Sequence, residues 1–119
     1  MIVTTKVTAD MNPQFRTDPG NATNDKVFLL SIPEADSYFI SDSARQCTPT
    51  SYTAHRAKMT DDYKTAEGRD TCWWWLRSPG LFQNFASYVN YVGSVNYYGD
   101  LVLNDLGAIR PALWIDLNS

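Results

Sequence analysis

The chain has 119 residues, of which 44% are hydrophobic and 19% charged, a balance typical of one globular domain over residues 1–119 and not of a disordered chain. Its net charge of −3 argues against nucleic acid as a partner, because binding to phosphates requires a basic surface. No apolar run approaches the roughly 18 residues of a transmembrane helix, so we expect no membrane insertion.

The first predicted elements are a strand and a capped helix. The apolar run DKVFLLS at 25–31 is typical of a buried strand. Ser31 and Glu34 have the spacing of a capping box, and Pro33 suits a first helical turn, so a helix is predicted to begin here. The helical face predicted to be apolar consists of Ala35, Tyr38 and Phe39.

The middle of the chain predicts two further short helices, around 43–46 and 53–58. The charged segment DDYKTAEGRD at 61–70 predicts an exposed loop, because its acidic residues lack the spacing of a calcium-binding loop. His55 is expected to have a structural or surface role. We therefore expect no metal and no cofactor.

The segment CWWWLRSPG at 72–80 is the densest apolar feature and predicts a strand. Alternation along a strand places Trp73 and Trp75 on one face and Trp74 on the other. Adjacent tryptophans can stack on sugars or bases, but they more often belong to a core, which is the interpretation we favour. Arg77 is then partly buried and requires an acidic or carbonyl partner.

The last third of the chain predicts an antiparallel sheet. Residues 86–98 have the pattern of a hairpin, with Gly93 and Ser94 as a two-residue turn. The segment AIRPALWIDL at 108–117 predicts a final strand, with Pro111 at its start or at a sheet edge. The side chains expected on one face of that strand are Leu113, Ile115 and Leu117. The predicted fold class is α+β, with short helices early and an antiparallel sheet late.

Cys47 and Cys72 are the only cysteines, too few for a four-cysteine zinc site. Two buried free thiols are the favoured interpretation, and a disulfide between them stays open because spacing cannot decide it. No nucleophile motif, metal-binding motif or phosphate-binding loop is present. We therefore expect no enzymatic activity.

The stretch FQNFASYVNYVGSVNYYGD at 82–100 holds four of the chain's seven tyrosines among Asn, Ser and Gly. Antibody loops use this composition, because tyrosine provides a large contact area and the small polar residues provide adaptable hydrogen bonds. Tyrosine also favours strands, so a half-buried sheet is an equal alternative. Composition alone leaves both interpretations open.

The ordered series DKVFLLSIPEADSYF, WWWLRSPG, VGSV and IRPALWIDL, over residues 25–117, resembles a domain of gut bacteria and their phages. That domain looks like a branch of the C-type lectin fold. It is similar to the variable proteins of diversity-generating retroelements. The resemblance implies a non-enzymatic, receptor-like module with a hypervariable surface and a protein or surface-glycan ligand.

In that group, adenine-directed mutagenesis rewrites codons such as AAC near the carboxyl terminus, which yields Asn, Tyr, Asp, Ser, Phe or Leu. The resemblance implies a set of variable, ligand-facing residues: Gln83, Asn84, Phe85, Tyr88, Asn90, Tyr91, Asn96, Tyr97, Tyr98, Asp100, Asn104 and Asp105. It implies a fixed scaffold of Ala86, Val89, Gly93, Val95, Gly99, Val102, Gly107, Arg110 and Pro111. The variable side chains are expected to point outward as one contiguous patch.

Departures from the family pattern qualify this expectation. The calcium-binding triplets of sugar-binding lectins are not present in the sequence, so calcium-dependent sugar binding is not expected. Relatives often carry an upstream half, so the domain is expected to have an exposed sheet edge near its amino terminus and to be capable of homo-oligomerisation. The display site of the parent protein, a bacterial surface or a phage particle, stays open, and no signal peptide is visible.

Two alternatives stand beside this hypothesis. A structural module is one, with a tyrosine-rich face that packs against copies of itself. The other is a copper oxidase of the formylglycine-generating kind, which shares the lectin-like fold. Cys47 and Cys72 do not match the cysteine placement of that enzyme, which disfavours it.

Overall fold

The computed structural model describes residues 1–51, 71–104 and 107–118. In this part of the chain, short helices lie beside two antiparallel sheets, which confirms a small α+β domain. The predicted helix at 53–58, the loop at 61–70 and His55 lie outside the described residues. In chain order the elements are β1 (Thr5–Val7), β2 (Thr23–Asp25), α1 (Ile32–Tyr38), α2 (Asp42–Arg45), β3 (Trp74–Pro79), β4 (Phe85–Val89) and β5 (Val95–Leu101).

The predicted capping box at the start of α1 is confirmed. The Ser31 hydroxyl accepts a hydrogen bond from the backbone N–H of Glu34, and the Glu34 carboxylate accepts one from the backbone N–H of Ser31. These bonds satisfy amides that a helix leaves unpaired at its first turn. Ala35 is fully buried, whereas Tyr38 on the same predicted face is 52% exposed. The helix ends there because Phe39 adopts an extended backbone conformation.

The second helix, α2, is also confirmed and is anchored by Arg45. Ser41 caps its first turn by accepting from the N–H of Ala44. Arg45 is buried, and its Nε donates to the carbonyl of Gly93 in the β4–β5 loop at 2.8 Å. The guanidinium also pairs with Asp42, so the helix is held against the hairpin through a buried charge that has hydrogen-bond partners.

The tryptophan alternation predicted for β3 is confirmed. The rings of Trp73 and Trp75 lie 4.9 Å apart on one side of the strand, and Trp74 is fully buried on the other. The indole Nε1 of Trp74 donates to the carbonyl of Arg45 at 3.0 Å, which satisfies its one polar atom. The core around Trp74 consists of Leu30, Ile32, Ala35, Cys72, Leu76, Val89 and Ala108.

Arg77 has the partners that its position required. Its guanidinium pairs with Glu34 and, at 3.4 Å, with Asp10. It also donates to the carbonyls of Leu29 at 2.8 Å and Thr8 at 3.0 Å. This set links β3 to the amino-terminal segment and to α1.

The predicted strand at 25–31 is wrong as one element. Regular pairing in β2 ends at Asp25. Phe28 then forms an isolated bridge to Ala112, and the Leu30 carbonyl accepts from the N–H of Arg77. Because successive residues pair with different partners, no continuous ladder forms along this segment.

The predicted hairpin is confirmed as β4 and β5, but its two-residue turn is wrong. The strands are joined by a loop over residues 90–94, closed by a hydrogen bond from the N–H of Asn90 to the Ser94 carbonyl. The Asn90 carboxamide oxygen accepts from the N–H groups of Val92 and Ser94. This side chain supplies bonds that a tight turn would have made through the backbone.

The predicted strand at 108–117 is also wrong. Its residues form isolated bridges to three separate places: Ala108 to Trp74, Ala112 to Phe28, and Ile115 to Ile2. Pro111 has no N–H, which interrupts pairing between the first two bridges. The side chains predicted on one face of that strand are exposed at 40%, 56% and 89%, for Leu113, Ile115 and Leu117.

Candidate functional site

Three aromatic rings gather on the face of the β3–β4–β5 sheet that lies opposite the core. The ring of Trp73 lies 4.8 Å from the ring of Tyr88 and 4.9 Å from that of Trp75. Trp75 pairs with Tyr88 across β3 and β4, so the two side chains lie on the same face. Trp75 is buried, whereas Trp73 and Tyr88 are half-buried. We call these three residues the outer aromatic cluster.

Three polar side chains, from β5 and from the residues just after it, adjoin this cluster. Asn96 pairs with Tyr88 across β4 and β5. The Asn96 carboxamide oxygen accepts from the N–H of Gly99 at 2.9 Å, and the Asn104 amide donates to the Asp100 carboxylate at 2.9 Å. All three polar side chains are partly exposed. We call Asn96, Asp100 and Asn104 the polar rim.

The hydroxyl of Tyr88 is perturbed by these neighbours. Burial raises the pKa of Tyr88, and the negative charge of Asp100 raises it further. A hydrogen bond with the Asn96 side chain opposes the rise. The hydroxyl therefore stays protonated at neutral pH and is a hydrogen-bond donor at the boundary between the cluster and the rim.

Gly107 fixes one boundary of the outer aromatic cluster. A Cβ atom at this position would lie 2.6 Å from a ring carbon of Trp75 and 2.8 Å from one of Trp73. The N–H groups of Trp75 and Ala108 bond the chain here to the edge of β3. The glycine therefore lets the backbone pass directly against both rings.

Several of the predicted ligand-facing residues lie away from this face, in the β3–β4 loop and at the first residue of β4. The Gln83 amide donates to the Asp18 carbonyl at 3.3 Å, and Asn84 is exposed. Phe85 packs edge-on against Phe82 with ring centroids 5.7 Å apart. Gln83 and Phe85 line a separate cavity of about 220 Å³.

The remaining tyrosines of the tract lie in three different places. Tyr91 is 37% exposed in the 90–94 loop, and Tyr98 is 57% exposed against the ring of Phe15. Tyr97 packs against the core. Burial raises the pKa of Tyr97, and Asp36 raises it further.

The expectation of one contiguous outward patch is therefore wrong. Alternation along β5 places Tyr97 on the core face with Val95, and Asn90 is held in its own turn by hydrogen bonds. The predicted residues that do come together are Tyr88, Asn96, Asp100 and Asn104. Asp105 lies outside the described residues.

Sequence reasoning missed Trp73 and Trp75 as contributors to this face, because the tryptophans were interpreted as core. The interpretation is correct for Trp74, and for Trp75 as far as burial is concerned. The alternation that separated Trp74 from its neighbours was the available signal. It showed that two rings face away from the core but not that Tyr88 would join them.

A larger cavity, of about 360 Å³, is lined by no described residue of the tyrosine-rich tract. Its walls are mainly apolar and include Phe28, Tyr38 and Trp114. Its one charged group, Arg110, lies 4.9 Å from the ring centroids of both Phe39 and Trp74 and donates to the Arg45 carbonyl. This cation is already used in packing.

Two properties of the described residues bear on cofactors and membranes. Residues 1–51, 71–104 and 107–118 contain no group of three or more His, Cys, Asp or Glu side chains arranged to hold a metal ion. Within the same ranges, the helices lack the length and apolar character that a bilayer span needs.

A family model described as a domain of unknown function, DUF6273, matches residues 1–117. The chain belongs to the DUF6273 family. The match includes every element of the described structure, so the outer aromatic cluster and the polar rim both lie within the DUF6273 domain. No curated protein and no solved structure matches the chain.

Proposed function

We propose that this DUF6273 domain is a non-enzymatic, receptor-like module that binds a protein or surface-glycan ligand through the outer aromatic cluster and the polar rim. The observation that carries the proposal is the arrangement of Trp73 and Tyr88 as half-buried rings beside amide and carboxylate groups. Rings offer apolar area at a low entropic cost, and the polar groups add directional bonds. Recognition surfaces combine these two features.

The rigidity of the framework supports this proposal. Tyr88 lies on the central strand of the three-stranded sheet, and its ring packs against the rings of Trp73 and Trp75 at centroid distances of 4.8 Å and 6.4 Å. The polar rim is held by hydrogen bonds from Gly99 and Asn104. Preorganised groups lose less conformational entropy on binding, so a small surface of this kind can still give useful affinity.

We further propose that the domain has a C-type lectin-like fold and that a retroelement diversifies the tract residues on this face, which are Tyr88, Asn96, Asp100 and Asn104. The motif series over residues 25–117 supports both ideas. The genomic signature expected is a template repeat near the gene that differs from the coding tract only at adenines. A template whose differences are spread over all four bases would contradict diversification.

Binding is tested with two tyrosines of the same tract. Ligands are first selected on a glycan array and from a displayed protein library. Tyr88→Ala is expected to weaken binding of the selected ligand by about 2 kcal/mol, roughly 30-fold in Kd. Tyr91→Ala is the matched control, because Tyr91 is exposed in the loop away from the cluster and should leave Kd within about threefold.

Isothermal titration calorimetry gives the Kd values, and thermal melting shows that both variants are folded. Asp100→Asn is the second variant, since it keeps the shape of the rim and removes its charge. Equal losses for Tyr88→Ala and Tyr91→Ala would contradict a site on this face. So would unchanged binding for both Tyr88→Ala and Asp100→Asn.

A second candidate function is a self-assembling structural module, and an exposed apolar ribbon favours it. Ile2 pairs with Ile115, and the N–H of Val3 bonds to the Trp114 carbonyl at 3.0 Å. Their side chains remain exposed at 43%, 56%, 39% and 50%, in the order Ile2, Ile115, Val3 and Trp114. Exposed apolar residues on neighbouring chain segments are a feature of interfaces.

Self-assembly through this ribbon predicts an oligomer that a buried charge disrupts. Light scattering after size exclusion should show a multiple of the chain mass for the wild type and a monomer for Ile115→Lys. Lys6→Glu, an exposed change on β1, is the control and should leave the mass unchanged. A wild type that is monomeric at high concentration would remove this candidate.

A further inference from the structure

The two cysteines face each other across an antiparallel bridge. Cys47 and Cys72 are partners in that bridge, and the N–H of Cys72 donates to the Cys47 carbonyl at 2.9 Å. Both thiols are free, and the Cys72 thiol lies 3.4 Å from the Cys47 carbonyl oxygen. In a hydrogen-bonded antiparallel pair the Cα atoms lie about 5.5 Å apart. A disulfide spans Cα distances of roughly 4.4–6.8 Å, and the separation typical of such a bridge falls within this range.

We propose that Cys47 and Cys72 form a modification site, an oxidisable dithiol that closes a reversible disulfide by exchange with a low-molecular-weight disulfide such as oxidised glutathione. This site is separate from the outer aromatic cluster and does not depend on the proposed binding function. It uses the only two sulfhydryl groups of the chain.

The surroundings of the two thiols assign them different roles. Cys47 is half-buried, whereas Cys72 is 1% exposed and belongs to the core cluster around Trp74. An incoming disulfide can therefore reach Cys47 first. Cys72 lies beside Cys47 and is placed to resolve the mixed disulfide from inside the fold.

The exchange proceeds in two balanced steps. The Cys47 thiolate attacks one sulfur of the small disulfide, whose S–S bond breaks and releases one glutathione thiolate. Cys72 then attacks the Cys47 sulfur and expels the second glutathione thiolate, which takes up the Cys72 proton. Two protein thiols are oxidised, and one disulfide is reduced to two small thiols.

Electrostatics support this order of attack. A hydrogen bond with the Cys72 thiol lowers the pKa of Cys47 to about 6, burial opposes this effect, and the positive charge of Arg110 lowers the pKa further. The same pairing raises the pKa of Cys72, together with its burial. Because the thiolate is the nucleophile, Cys47 is the more reactive thiol at neutral pH.

The disulfide would tie the chain together at the entrance to β3. Its bond would cross-link the two ends of the segment that joins Cys47 to Cys72. A cross-link of this kind stabilises a fold mainly by restricting the unfolded chain. For a loop of this length, we expect the melting temperature to rise by on the order of 10 °C.

The test incubates the folded wild-type chain with oxidised glutathione, traps remaining thiols with N-ethylmaleimide and measures the intact mass. The wild type should lose two hydrogen atoms, take up neither reagent, and give a Cys47–Cys72 cross-linked peptide after digestion. Reduction with dithiothreitol should restore both thiols and reverse the rise in melting temperature.

Single variants separate the two roles. Cys72→Ser should accumulate a stable glutathione adduct on Cys47, because nothing resolves it. Cys47→Ser should leave Cys72 unmodified while the chain is folded. Cys72→Ala and Cys47→Ala repeat the comparison if a serine variant fails to fold, as judged by circular dichroism.

Three results would overturn the proposal. One is a wild-type chain that keeps two alkylatable thiols after oxidation. Another is a glutathione adduct that persists on Cys47 although Cys72 is present. The third is a disulfide that joins two chains, which would show that the cysteines react between molecules instead of across the bridge.

Discussion

Replacement of Trp74 by alanine is expected to lower the free energy of unfolding by about 3–5 kcal/mol. The side chain is 0% exposed and packs edge-on against Phe39 at a centroid distance of 6.3 Å. Its loss would leave a cavity at the centre of the core and remove the donor to the Arg45 carbonyl. Both effects act in the same direction, and a small domain has only about 5–15 kcal/mol of stability in total.

Urea denaturation followed by circular dichroism measures this change. Trp114→Ala is the matched control, since this tryptophan is 50% exposed and the same substitution should cost about 1 kcal/mol or less. Trp74→Phe should fall between the two, because it keeps most of the ring volume and loses the indole N–H. Equal losses for Trp74→Ala and Trp114→Ala would show that the core is not centred on Trp74.

Gly93→Ala is expected to destabilise the domain by about 4 kcal/mol. Gly93 has φ +93°, a conformation that L side chains rarely adopt, and a Cβ atom would lie 2.6 Å from the carbonyl carbon of Asp42. The clash involves backbone and not a flexible side chain, so α2 would have to move. The bond from Arg45 to the Gly93 carbonyl would then be lost.

Gly20→Ala is the control that separates the cost of a positive φ from the cost of the backbone clash. Gly20 also has a positive φ, +79°, but no atom lies within 4 Å of the Cβ position. Gly20→Ala should therefore lower the free energy of unfolding only through the strain of the positive φ, by about 1–2 kcal/mol. Chemical denaturation of both variants gives the difference. A loss for Gly93→Ala no larger than that for Gly20→Ala would contradict the close approach of α2 to the β4–β5 loop.

The features that the sequence predicted correctly are local ones. The capping box of Ser31 and Glu34 depends on residues three apart, and the alternation of Trp73, Trp74 and Trp75 depends on the two-residue period of a strand. The sequence predicted that Arg77 needs an acidic or carbonyl partner, but it did not identify the residue that supplies it. An arginine in an apolar strand needs an acceptor, and only the fold could show that Glu34 supplies it.

The sequence predicted the candidate site as a stretch of the chain, and the structure shows that only some residues of this stretch share one face of the sheet. The tyrosine-rich tract was selected by its composition and by its resemblance to a variable family. Strand alternation, a bulge between Ala86 and Tyr88, and a hydrogen-bonded loop then distribute its side chains over separate surfaces. Tyr88 therefore joins Trp73, which lies outside the tract, whereas Tyr97 packs into the core.

By itself, then, the sequence determined the α+β class, the cap of α1 and the faces of β3, because each depends on neighbours along the chain. The tertiary structure alone decided which tract residues share a face, why 108–117 forms scattered bridges, and that Cys47 meets Cys72. Those outcomes depend on contacts between residues far apart in the chain, and no local pattern encodes the partner of such a contact.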